Sequence, residues 1–172
     1  MATSWWMFGL GVATGVLGTG VSGASYILAL KKDRRELADK LKQEQAQQRR
    51  DVAEASLVTV TVRGSGGSVD VKITNNSDRA VLRVELLDIR REGADPAETW
   101  TVNQNMVPRP APLREVLKAH TDMHVPTWLL DAEGNRMPVP QAVEYTVRFC
   151  DTSGRWWLRD ASDGPPRPIQ AP

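Results

Sequence analysis

His120-Thr121-Asp122-Met123-His124 is the cluster whose residue types could hold a metal or move a proton. Two imidazoles and a carboxylate are ordinary ligands for a divalent cation. On a helix, the four-residue spacing would stack both rings on one face. On an extended strand it separates them by about 13 Å, too far for one ion with bonds of about 2 Å. Pro126 and the alternation around it favour a strand, so no metal site is expected. Cys150 is the only cysteine, which leaves no intrachain disulfide. Nothing beside it resembles a Cys–His pair, and such a cysteine packs as a small hydrophobe. Its parity opposes Val147 and Phe149, which places it on an outer face or under a loop.

Other catalytic patterns are missing. Gly64-Ser65-Gly66-Gly67 lacks the Lys-Ser/Thr of a phosphate-cradling loop and reads as a turn. There is no nucleophile elbow or dinucleotide fingerprint. The expectation is a non-enzymatic chain with no catalytic residue, metal or cofactor. Trp156 and Trp157 carry a different chemistry. In a strand, adjacent side chains point to opposite faces, so one indole anchors the core and the other faces outward. An outward Trp is of the type enriched at protein contacts. Cover by a loop or by the proline-rich tail is the alternative.

The elements that position these groups follow from composition. Trp5 to Leu30 contains no Asp, Glu, Lys, Arg or His. It exceeds the ~20 residues needed to cross a bilayer and predicts a transmembrane anchor over residues 1–30. Trp5, Trp6 and Tyr26 suit its headgroup boundaries. A cleaved signal peptide would end near Ser22-Gly23-Ala24, but the first thirty residues lack its basic start. Gly11, Gly15, Gly18, Ser22 and Ser25 lay a small-residue stripe down one helical face, an interface for a partner helix or a second copy. Lys31, Lys32, Arg34 and Arg35 form the topology and lipid-headgroup signal. By the positive-inside rule they put the amino terminus outside and the remainder in the cytoplasm.

Residues 31–56 are rich in Lys, Arg, Glu, Gln and Ala, with no Gly or Pro. These are strong helix formers and predict a helical stalk. Glu36–Lys40, Arg35–Asp39 and Arg50–Glu54 add i,i+4 support. Leu30, Leu37 and Leu41 start a coiled-coil seam, but Glu44, Gln48 and Asp51 interrupt it. A solvated spacer is the favoured reading.

From Leu57 the period changes to two. Val58, Val60 and Val62 alternate with Thr, and Val69, Val71 and Ile73 alternate after the Gly-rich turn. Asn75-Asn76-Ser77-Asp78 is a second turn, and the Leu86-Leu87 switch in the next strand marks a bulge or burial on both faces. Val143, Tyr145, Val147 and Phe149 form the last hairpin with Trp156-Trp157-Leu158, turned by Asp151-Thr152-Ser153-Gly154. About seven short strands over residues 57–160 fit an immunoglobulin-like β-sandwich. Residues 161–172, with Pro165, Pro166, Pro168 and Pro172, read as a disordered tail. A net charge of +1 leaves no electrostatic footprint for nucleic acid.

This order of elements carries a resemblance. Lys31-Lys32-Asp33-Arg34-Arg35 after the uncharged span, the Ile73-to-Val81 turn region and the closing Val147-to-Trp157 segment resemble uncharacterised small single-span membrane proteins of actinobacteria. The resemblance implies an architecture and no activity. The expected function is a membrane-anchored protein-interaction module displayed near the inner membrane face, with lipid and a protein as its partners. The alternatives are an accessory subunit of a membrane complex, held through its Gly-rich helix, or an extracytoplasmic ligand-binding domain in inverted topology.

Overall fold

The computed structural model describes residues 6–65, 67–105, 110–161 and 164–172, with side chains described from Lys31 onward, Ser65 excepted. The chain divides into two compact units after Gln48. Helix α1 spans Trp6–Ala55. Its side chains from 31 to 48 are all exposed, Leu37 and Leu41 included, and Lys32 and Glu36 lie 3.8 Å apart one turn from each other.

One expectation about this region is corrected. Among the described residues no helix is long and apolar enough to cross a membrane, so the transmembrane anchor is withdrawn from the fold. The described part of α1 is rich in Lys, Arg, Asp, Glu and Gln, which hydrocarbon would not solvate. Gly11, Gly15, Gly18, Ser22 and Ser25, the expected helix interface, have side chains outside the described residues. The last turns of α1, from Arg49, belong to the same compact unit as the β strands. Ala55 is buried, Val52 packs on the core, Asp51 pairs with Arg155, and Glu54 lies 3.6 Å from Arg79. Ser56 ends the helix by returning its hydroxyl to Val52 O at 2.8 Å. The Val-Thr run that follows prefers a pleated strand.

The second unit, Arg49–Pro172, holds nine strands among the described residues. They are β1 (Val58–Ser65), β2 (Ser68–Asn75), β3 (Val81–Arg91), β4 (Thr99–Val102), β5 (Leu113–Leu117), β6 (Thr121–Leu130), β7 (Val143–Cys150), β8 (Trp156–Asp160) and β9 (Arg167–Ile169). Two antiparallel sheets result, one in the order β1-β2-β6-β4 and one in the order β5-β3-β7-β8-β9. The expected immunoglobulin-like sandwich of about seven strands is thus replaced by sheets of four and five strands. Part of the difference is β9, in the stretch expected to be a disordered tail. Proline is tolerated there because β9 is an edge strand.

Both sheets turn their apolar parity inward to one core. Val58, Val71, Ile73, Val125 and Met123 come from the four-stranded sheet, and Val84, Leu86, Leu117, Phe149 and Trp157 from the five-stranded one. Complete burial of such side chains contributes about 1.5–3 kcal/mol each. The Leu86-Leu87 switch coincides with a register shift between Leu86 and Asp88, and Leu87, expected to share a face with Ile89, is left exposed.

One buried amide ties the two sheets together. Asn75, at the end of β2, donates through Nδ2 to Arg79 O at 2.7 Å, Lys118 O at 3.1 Å and Leu117 O at 3.2 Å. Its Oδ1 accepts from Ser77 N and Ser77 Oγ. The Asn-rich turn is therefore pinned to the connection between β5 and β6, which satisfies carbonyls that would otherwise be costly to bury.

Candidate interaction surface

The outer face of the five-stranded sheet follows from the strand registers. Val147 and Phe149 of β7 are buried inward, so Thr146, Arg148 and Cys150 point outward. Cross-strand pairing then sets three rows. The first runs Val116, Leu82, Cys150, Trp156, Ile169 and crosses all five strands. The second runs Leu113, Glu85, Arg148, Leu158, Arg167. The third is Asp88, Thr146, Asp160. An antiparallel sheet normally shows polar residues on its solvent side. Here the first row is apolar from end to end.

Exposure varies along that row. Val116, on the edge strand β5, is 50% exposed, whereas Trp156 is only 9% exposed. Two cations roof the indole: the Arg83 guanidinium lies 5.6 Å from the ring centroid and that of Arg148 5.4 Å. Both distances suit cation–π attraction. Arg148 is held by Glu85, and Arg83 lies 3.9 Å from Glu115 of β5. Arg83 adopts φ 49°, the left-handed region, where β3 slips register against β7 between Leu82 and Glu85. A non-glycine residue held there stores strain, and such outliers concentrate at functional surfaces.

The sequence-predicted residues separate accordingly. Trp157 turns inward at 1% exposure and donates its Nε1–H to Asp151 Oδ2 at 2.9 Å, anchoring the core. Trp156 turns outward and is covered, which matches the alternative of cover in place of free exposure. Cys150 shares the outer row and is buried; burial, followed by the neighbouring Asp151, pushes its thiol up and keeps it a poor nucleophile. Lys31, Lys32, Arg34 and Arg35 are exposed on α1.

His120 and His124 do not converge. His120 Nε2 meets Asp78 at 3.0 Å, while His124, on the outer face of the four-stranded sheet, places Nδ1 2.8 Å from Asp70. His124 Nε2 faces Asp122 Oδ1 at 3.8 Å, so each ring nitrogen meets a carboxylate and not a hydroxyl nucleophile. Lys72 sits 2.7 Å from Asp122 and holds its carboxyl below the usual range. Among the described residues no group of three or more His, Cys, Asp or Glu could hold a metal ion.

Sequence reading missed the acidic end of the same outer face. Asp88, Arg90, Glu92, Glu144, Thr146 and Asp160 contribute to an open cleft of about 380 Å³, in which Arg90 pairs with Asp88. Alternation alone indicates that Glu144 and Thr146 share a face. It does not reveal that Asp88 and Asp160 join them from two other strands. No family model matches the chain, and neither curated proteins nor solved structures gave a match.

Proposed function

We propose that the chain is a non-enzymatic protein-interaction module that meets its partner on the outer face of the five-stranded sheet. The observation that carries this reading is the apolar row Val116–Leu82–Cys150–Trp156–Ile169, which the core does not require and which ends in a half-exposed valine on an edge strand. A contiguous apolar feature on an otherwise polar surface is characteristic of contact sites, and Trp is enriched at their energetic centres. The opposite outer face also carries an indole, Trp128, but there the ring is stacked under Arg136 at 3.3 Å from its centroid, and among the described residues no apolar row crosses every strand. Its charged groups are paired with one another, as in Lys72–Asp122 and His124–Asp70.

The test is site-specific photo-crosslinking of the full chain in its native cell. A crosslinker in place of Val116 is expected to trap a discrete partner, and one in place of Thr61, on the other sheet, is not. Val116→Asp should abolish the discrete adduct when the crosslinker is moved to Leu113. Equal trapping from both sheets, or adducts indifferent to Val116→Asp, would refute the reading.

A further inference from the structure

The edge on which β9 lies is, we propose, a strand-acceptor site, and β9 is its intramolecular occupant. The partner it fits is an extended protein segment with an aliphatic residue opposite Trp156, the position opposite Trp157 tolerating a proline. This rests on the reading of the outer face as the interaction surface and names the kind of partner that face takes.

The argument starts from the unequal hold on the two strands. β8 is fixed on its other side by five residue pairs with β7, from Thr146↔Asp160 to Cys150↔Trp156. Trp157 is fully buried, and its indole N–H is tied to Asp151. β9 has three residues, and Pro168, opposite Trp157, has no N–H to donate to a ladder. Of its flanks and itself, only Pro166 is buried and Gly164 and Ile169 half-buried; Pro165, Arg167, Pro168 and Gln170 are exposed. Two side chains three positions apart therefore anchor it.

Its register sets the chemistry of a competitor. Ile169 lies opposite Trp156 and completes the apolar row, so an aliphatic side chain belongs there. Pro168 lies opposite Trp157 on an edge where a missing N–H is tolerated. Arg167 lies opposite Leu158 and is exposed, so that position is permissive. Extended segments bind sheet edges by adding a strand, with main-chain bonds for affinity and alternate side chains for specificity. A covalently linked occupant competes at an effective concentration on the order of millimolar, so it masks the edge until a better segment displaces it.

The probe is a labelled peptide of residues 164–172, Gly-Pro-Pro-Arg-Pro-Ile-Gln-Ala-Pro. Its binding is read by fluorescence anisotropy on the full chain and on the full-length Ile169→Asp variant. The variant is expected to bind at least ten-fold more tightly, and a peptide carrying the same Ile-to-Asp change should not bind. Hydrogen exchange run in parallel should show β8 amides of the variant exchanging faster while β7 amides stay protected. Equal peptide affinity for both chains overturns the proposal, as does absent binding with β8 exposed, or continued β8 protection in the variant. Should Ile169→Asp unfold, Ile169→Ala replaces it with the same expectations. A wild-type dimer made by exchanged β9 strands would identify a second copy as occupant and overturn the assignment to a separate partner. The native partner is absent from this assay, so its failure leaves the Val116 crosslinking result standing, whereas failure of the crosslinking removes the outer-face reading on which the partner rests.

Discussion

The two sheets contribute the same kind of inner face and very different outer ones. On the four-stranded sheet, Lys72 lies opposite His124, with Asp70 and Asp122 on either side, and each charge has a neighbour of opposite sign. That charged part of the face is largely self-sufficient, and beyond it Trp128 is covered by Arg136. On the five-stranded sheet, an apolar row runs beside the Arg83 and Arg148 roof at one end, and four carboxylates line a cleft with a single arginine at the other. The contrast shows that period-two alternation secures a core without dictating what the solvent side displays. Ion pairs occur on both outer faces, Arg90–Asp88 and Arg148–Glu85 on the five-stranded one included, so it is the apolar row that sets that face apart.

The largest expected effect tests the shared part of the comparison. Phe149→Ala empties a fully buried position between the sheets and should cost about 3–5 kcal/mol, measured by denaturant unfolding. Both outer faces should lose structure together in one transition. Separate transitions would break the single-core description.

Next comes Asn75→Ala, which removes one side chain bridging the β2–β3 turn to the β5–β6 connection. Stranding its buried carbonyl partners should cost about 2–3 kcal/mol. Proteolysis or hydrogen exchange should show β5 loosening before β7. A cost below about 0.5 kcal/mol would mean that the turn holds its shape without the amide.

A smaller effect belongs to the five-stranded sheet alone. Burial opposes ionisation of Asp151, but hydrogen bonds from Ser153, Trp157 and the Arg155 amide outweigh it and hold the carboxyl below its usual range. A carboxylate whose folded pKa is depressed contributes stability fully present above the unfolded value of about 3.9. That contribution is lost as pH falls through the lower folded value. Asp151→Asn should therefore cost about 1–2 kcal/mol near neutrality and flatten the acid limb of the stability curve. An unchanged acid limb would remove Asp151 as the anchor of the β7–β8 hairpin.

The smallest effect sharpens the contrast from the other side. Lys72→Met breaks the exposed pair with Asp122 and should cost less than about 1 kcal/mol, diminishing further in high salt. Partner trapping from position 116 should be unaffected. A cost above about 2 kcal/mol would show that the four-stranded face is structurally essential and not merely solvated.

Much of the β domain was legible because its signals are local. The alternation of Val69, Val71 and Ile73 appears directly as buried positions of β2. The Asp151-to-Gly154 turn forms where expected, with Gly154 at φ 84° where other residues would be strained. The sheet pairing of residues 167–169 was not legible, since three residues with a proline carry no periodic signal and need β8 as a template. The apolar row was hidden for a related reason. Val116 and Leu82 belong to segments that read separately as unremarkable strand positions.

The sequence by itself determined the helical character of residues 31–55, the hairpins closed by Gly-rich and Asp-led turns, and the inward parity of β2 and β7, but not that of β3, whose two register shifts turn Leu82 and Leu87 away from the core. Those features depend on neighbours within a few residues, where side-chain spacing and backbone preference act directly. Only the tertiary structure decided that Trp157 faces the core, that Trp156 lies under Arg83 and Arg148, and that Ile169 completes its row. Register between distant strands is set by how two sheets close over one core, and no single strand's pattern contains that information.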